Sequence, residues 1–111
     1  MIALLMLFPL STTHKTLGAL RSYIVDRSVA KYREVDGLRM KVFLSNHDED
    51  MFGALYLWES EEALAAALPQ LGASVQDRWG IVPTTQRFAV EAIVEGRHAT
   101  PDLARVGRAL E

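Results

Sequence analysis

Apolar positions recur along this chain with two periods, and each change of period marks a new element. Ile2 to Phe8 is apolar at every position, which predicts a strand covered on both faces and ended by Pro9. From His14 to about Glu34 the pattern is helical. Leu17, Leu20, Ile24, Val25, Val29 and Tyr32 recur at three- and four-residue steps, and Arg21, Asp26, Arg27, Lys31 and Arg33 fill much of the other surface. Ser11, Thr12 and Thr13 offer N-cap oxygens for this helix. Asp36-Gly37 predicts a turn. The period then drops to two: Leu38, Met40, Val42 and Leu44 alternate with Arg39, Lys41, Phe43 and Ser45. A polar turn follows over Asn46, His47, Asp48, Glu49 and Asp50, and Phe52 to Trp58 is a second apolar run.

Ser60 stands where an N-cap belongs, with Glu61 and Glu62 in the first turn, where the helix dipole favours negative charge. The helix is expected to run to about Leu68, to be interrupted by Pro69 and Gly72, and to resume from Ala73 to Trp79, with Gly80 as its cap. Thr84 to Glu95 predicts a fourth strand, with Phe88, Val90, Ala92 and Val94 on one face. Thr100-Pro101 predicts an N-cap and first helical position, so a short tail helix is expected to about Leu110. The order β-α-β-β-α-β is the ferredoxin-like pattern of an α+β protein with a four-stranded antiparallel sheet. We expect one such domain over 1–96 and a tail over 97–111. Two helices cover only one face of that sheet. The other face is apolar as well, so a second copy of the chain is the expected cover, with the fourth strand contributing to the seam.

Composition narrows the function. The chain has 111 residues, half of them hydrophobic, and a net charge of −2. One domain fits that length, and no basic face marks a nucleic-acid binder. There is no cysteine, which removes disulfides, thiolate catalysis and cysteine metal sites and suits a reducing cytoplasm. The apolar start of the chain is too short to span a bilayer, so no membrane is expected as a partner. No GxGxxG, P-loop, HExxH or GxSxG motif is present, and no metal or cofactor is expected.

The candidate chemistry lies in the hairpin. Tyr56 and Trp58 are two residues apart and share a strand face. One register of the hairpin places Lys41 opposite Tyr56 and Arg39 opposite Trp58. Arg39, Lys41, Phe43, Tyr56 and Trp58 then face the first helix. In that arrangement a cation among aromatic rings holds an enolate, phenolate or carboxylate. In the alternative, Lys41 snorkels to solvent and the rings are ordinary core; a slip of one residue sends it to the opposite face. His14, near the end of the first strand, is a candidate general base or a solvated first-turn residue. Trp79 is a candidate wall at one end of the pocket or a plug for the core edge. Tyr32 and Arg33 reach toward the same space from the first helix. The acidic turn around His47 lacks the ligand spacing of a calcium loop.

The segments GLRMKVFLS and FGALYLWESEEALAAAL, joined by a short acidic turn, resemble the YdhR-type mono-oxygenases. More broadly the chain resembles the dimeric α/β-barrel superfamily of cofactor-free antibiotic-biosynthesis mono-oxygenases and polyketide cyclases, over about residues 1–96. The likeness rests on Gly37-Leu38, Lys41, Gly53, Tyr56-Leu57 and Trp58-Glu59-Ser60. It implies a homodimer and a cavity lined by Trp58. The companion Asn of those enzymes falls on Ala54 here. The implied function is a small homodimeric enzyme acting on an aromatic or polyketide-like molecule, as a cofactor-independent mono-oxygenase. A cyclase or isomerase using the same cavity, or a non-catalytic ligand-binding module, is the alternative. Lys41, Tyr56 and His14 are the candidate catalytic residues, and Trp58, Arg39, Phe43 and Trp79 the candidate substrate contacts.

Overall fold

The structure is a computed structural model that describes residues 1–97, with the side chains of 72–79 left undescribed. The expected tail helix lies outside the described residues. The elements run β1 (Ile2–Pro9), a 3₁₀ turn (Leu10–Thr13), α1 (Leu17–Tyr23), a π-helical turn (Ile24–Ser28) and α2 (Val29–Arg33). They continue with β2 (Leu38–Asn46), β3 (Met51–Trp58), α3 (Glu61–Trp79) and β4 (Thr84–Ala89). The strands form one antiparallel sheet in the order β2-β3-β1-β4. This is the ferredoxin-like arrangement of the expected α+β class.

Pairing fixes which side chains share a face. Leu4 lies opposite Tyr56, Met6 opposite Ala54 and Phe8 opposite Phe52. These residues are buried under the helices. α3 seals one half of the layer through Leu64 and Leu71, which pack with Leu4, Tyr56 and Trp58. The first helical stretch seals the other half through Leu20 and Ile24, which pack with Phe8, Phe52 and Ile81. Gly53 is required in β3, because a Cβ there would stand 2.0 Å from the Met6 carbonyl oxygen. Gly37 turns the chain into β2 at φ +78°, and its space is filled by Ala63.

Three expectations are corrected. The first helix begins later: Thr16, not Ser11 to Thr13, is the N-cap, and its hydroxyl accepts from the Ala19 N–H at 3.1 Å. Ser11 instead donates its N–H and hydroxyl to the Asp50 carboxylate, at 2.7 and 2.6 Å. That clasp ties the hairpin turn to the end of β1. Pro69 does not break α3. The proline removes the bond to the carbonyl of Ala65, but Ala65 and Pro69 both face water, which hydrates the freed carbonyl, while buried Leu64 and Leu71 hold the helix down on both sides.

The third correction is to β4, which ends at Ala89 rather than Glu95. Ala89 pairs with Ile2, and the Val90 N–H reaches the Met1 carbonyl at 3.1 Å. The described ladder with β1 ends there. The strand-like run to Glu95 is largely exposed, Val94 to 90 %. Ser60 does cap α3, accepting from the Ala63 N–H at 3.1 Å, and Gly80 follows the helix at φ +66°.

Candidate active site

A cavity of about 70 Å³ opens between the first helical stretch and the sheet. Its floor is β3 with Phe52, Ala54 and Tyr56. One wall is β2 with Lys41 and Phe43, and the roof carries Tyr23, Ile24, Ser28, Lys31 and Tyr32. The volume is about half of the ~150 Å³ that accommodates benzene in an engineered core cavity. The interior therefore admits the edge of one ring or a short chain, and a larger ligand extends through the mouth.

Lys41 pairs with Tyr56 across the hairpin, the register that sequence alone made one of several. Its ammonium nitrogen stands 3.3 Å from the centroid of the Tyr32 ring, 4.2 Å from Phe43 and 4.7 Å from Tyr56. The rings brace one another: Tyr32 meets Phe43 edge-on at 6.5 Å and Tyr56 at 6.2 Å. Three ring faces attract a cation. Burial opposes it more strongly, and Lys31 adds repulsion, so the Lys41 pKa falls from 10.5 to about 6. Among the described residues no carboxylate lines the cavity to offset this. Burial also pushes the Tyr56 hydroxyl up, helped by Tyr32, so Tyr56 keeps its proton and serves as a hydrogen-bond group.

The other candidates lie elsewhere. Trp58 is fully buried behind the site, stacked on Tyr56 at 6.2 Å and 15°. It supports the floor and does not line the cavity, and its indole N–H has no acceptor among the described residues. Arg39 was expected opposite Trp58, but a β-bulge between Leu38 and Met40 gives that pairing to Leu38. The extra residue turns Arg39 outward, where it meets Glu59 at 3.5 Å on an exposed surface. His14 is exposed in a left-handed turn at φ 54° and does not reach the cavity. Arg33 is exposed as well. The Trp79 side chain lies outside the described residues.

Sequence reasoning missed Tyr23, Ser28 and Lys31. A signal was present for Ser28: Leu20, Ile24, Ser28 and Tyr32 follow at steps of four. Such a stripe drifts about 40° per step around a regular α-helix. The π-helical turn, in which the Val29 N–H reaches back to Ile24, takes up that drift and keeps all four over the sheet.

A helix-roofed cavity on a ferredoxin-like sheet, with the Lys41 amine among aromatic rings, has the form of a small-molecule site. Solved structures share this fold. One is the NE2512 protein of unknown function from Nitrosomonas europaea, with TM-score 0.65 and 14 % identity over 87 % of this chain and 95 % of that one. A second is the mono-oxygenase from the gene ActVA-Orf6 of Streptomyces coelicolor in complex with nanaomycin D, with TM-score 0.58 and 16 % identity over 86 % and 91 %. A third is SnoaB, a cofactor-independent oxygenase from Streptomyces nogalater, with TM-score 0.58 and 16 % identity over 86 % and 97 %. At these identities the likeness shows the fold. No family model and no curated protein matches the chain. Among the described residues no helix is long and apolar enough to cross a membrane.

Proposed function

We infer that the protein is a homodimeric, cofactor-independent mono-oxygenase acting on a phenolic aromatic. The observation that carries this reading is Lys41, an amine held in three aromatic faces on the wall of a cavity to which no described residue contributes a carboxylate. Uncharged near neutral pH, it accepts the proton of a bound phenol, and the ammonium so formed pairs with the phenolate it has created. Tyr56 offers a phenolic hydroxyl beside that oxygen. The electron-rich ring then reacts with dioxygen. One oxygen atom enters the ring to give a quinone and the other leaves as water, so the substrate supplies every electron. Apolar walls at Phe43, Phe52 and Ala54 limit water around the anion. Ala54 stands where the resemblance implies an Asn, which leaves Lys41 and Tyr56 as the polar groups on this part of the site.

The homodimer is supported by the open face of the sheet. Met40, Val42 and Leu44 are 36–39 % exposed and Phe88 50 %. The register sets them on one face with Ala3, Leu5, Leu7, Leu55 and Leu57. A non-oxidative isomerase or cyclase would use the same proton transfer, so oxygen uptake is the discriminating measurement. Naphthol and hydroxynaphthoquinone probes are expected to give enzyme-dependent oxygen consumption that Lys41→Met abolishes in a folded protein. Turnover of such a probe without oxygen uptake would move the assignment to the non-oxidative class, and binding without turnover would make the protein a ligand-binding module.

A further inference from the structure

We propose that Lys41 is also a covalent nucleophile, condensing through its side-chain nitrogen with small carbonyl compounds, β-dicarbonyls above all, that enter the cavity. The inference shares the cavity with the reading above but not its chemistry. Three features of the site carry it. The nitrogen is fixed among Tyr32, Phe43 and Tyr56, at 3.3 to 4.7 Å from their centroids, so the nucleophile is already positioned. No carboxylate lines the cavity among the described residues to hold the nitrogen as an ion pair, and Lys31 on the roof repels its charge. A lysine desolvated in an apolar pocket beside a second cation is the arrangement that activates an amine toward carbonyls. Finally, the interior of about 70 Å³ admits a short acyl chain beside the nitrogen without need of the mouth.

The titratable groups facing the nitrogen are Tyr23, Lys31 and Tyr32 from the helical roof and Tyr56 from the floor. In the reaction the nitrogen lone pair adds to the carbonyl carbon and a proton moves from nitrogen to oxygen, giving a carbinolamine. Loss of that hydroxyl with the remaining nitrogen proton, as water, gives the imine. Tyr56, held protonated, donates to the departing oxygen. With a β-diketone the imine shifts a proton to become a conjugated enaminone, which is stable and absorbs in the near ultraviolet. No oxidant or reductant is consumed.

The chain has only three lysines, at positions 15, 31 and 41, so the site of reaction is easily mapped. Folded protein is treated with acetylacetone between pH 5 and pH 10, then digested and analysed by mass spectrometry. One adduct per chain, heavier by one diketone less one water, is expected on Lys41. Its rate should rise through about pH 6 and exceed that of a free lysine amide under the same conditions at pH 7 by at least about 100-fold, since the uncharged fraction of an ordinary lysine amine there is on the order of 10⁻³. Lys31→Met should move the midpoint upward while the adduct stays on Lys41. Equal or preferred labelling of Lys15 or Lys31 overturns the proposal. A parallel series with acetic anhydride separates it from the oxygenase reading. Acetylation of Lys41 with a midpoint near pH 6 but no diketone adduct overturns imine formation and leaves the proton acceptor in place. An acetylation midpoint near the ordinary lysine value overturns both.

Discussion

Leu4, Met6 and Phe8 of β1 are buried, whereas Leu5 and Leu7, on the other face, remain half-open beside Met40, Val42, Leu44, Leu55 and Leu57. Both faces of the sheet are apolar; what separates them is cover. On the helix side, rings and aliphatic chains close over an amine and change its acidity. On the open side the same residue types meet water, and their only effect is to make a second surface valuable. The site and the proposed homodimer are thus two answers to one sheet that is apolar on both sides. The comparison can be broken from either side.

The largest effect is expected on the covered face. Trp58 is fully buried, and it backs Tyr56 and packs with Leu64 and Leu71. Trp58→Ala should cost about 3–5 kcal/mol in denaturant unfolding, because the cavity it leaves cannot collapse against a fixed sheet. A loss below about 1 kcal/mol would mean that this face is not the packed one.

Next comes the open face. Val42→Glu puts a charge into the middle of the exposed apolar surface. The parent protein should scatter light as a dimer and the variant as a folded monomer with an unchanged far-ultraviolet spectrum. A parent protein that is itself a stable monomer at micromolar concentration would remove the assigned role of this face.

A smaller effect is expected at Lys41. Its folded-state pKa of about 6 lies below the ordinary 10.5, so between those values the unfolded chain holds a proton that the folded chain has released. Stability therefore rises with pH through that window, and below about pH 6 this group adds no further slope. Lys41→Met keeps the stem and removes the charge. It should flatten the rise and stabilise the fold at pH 7 by on the order of 2 kcal/mol. Unfolding at fixed protein concentration between pH 6 and pH 10 checks both; an unchanged slope would place the parent ammonium in water.

The smallest change is at the hairpin clasp. Bonds from Ser11 hold the Asp50 carboxyl below its usual range. A depressed carboxyl contributes above its unfolded value, and the contribution fades as pH falls through the folded one. Asp50→Ala should lower the melting temperature slightly at pH 7 and not at all at low pH, with the cavity chemistry untouched. An equal loss at both pH values would assign the effect to the left-handed backbone at φ 52° instead.

Much of this was legible from residue order. Period two over 38–45, period 3.6 over 17–32, Ser60 before two glutamates and Gly80 after Trp79 are local signals, and each element formed where they stand. Errors arose where a distant partner decided the outcome. β4 ends where its pairing with Ile2 ends, and α3 continued through Pro69 because Leu64 and Leu71 anchor it. Arg39 left the site through a bulge that alternation cannot show, and one bulge moved it while leaving Lys41 in register.

By itself the sequence determined the element order, the ferredoxin-like topology and the short set of residues from which a site could be made, because propensity, capping and period are properties of neighbours along the chain. Only the tertiary structure decided that Lys41, Tyr32, Phe43 and Tyr56 converge, that Trp58 stands behind them and that His14 and Arg39 stand apart. Those outcomes depend on register, on a bulge and on a π-helical turn, each of which moves a side chain by one position across a surface. The altered acidity of Lys41 is tertiary as well, since desolvation belongs to the walls around a group and not to the group.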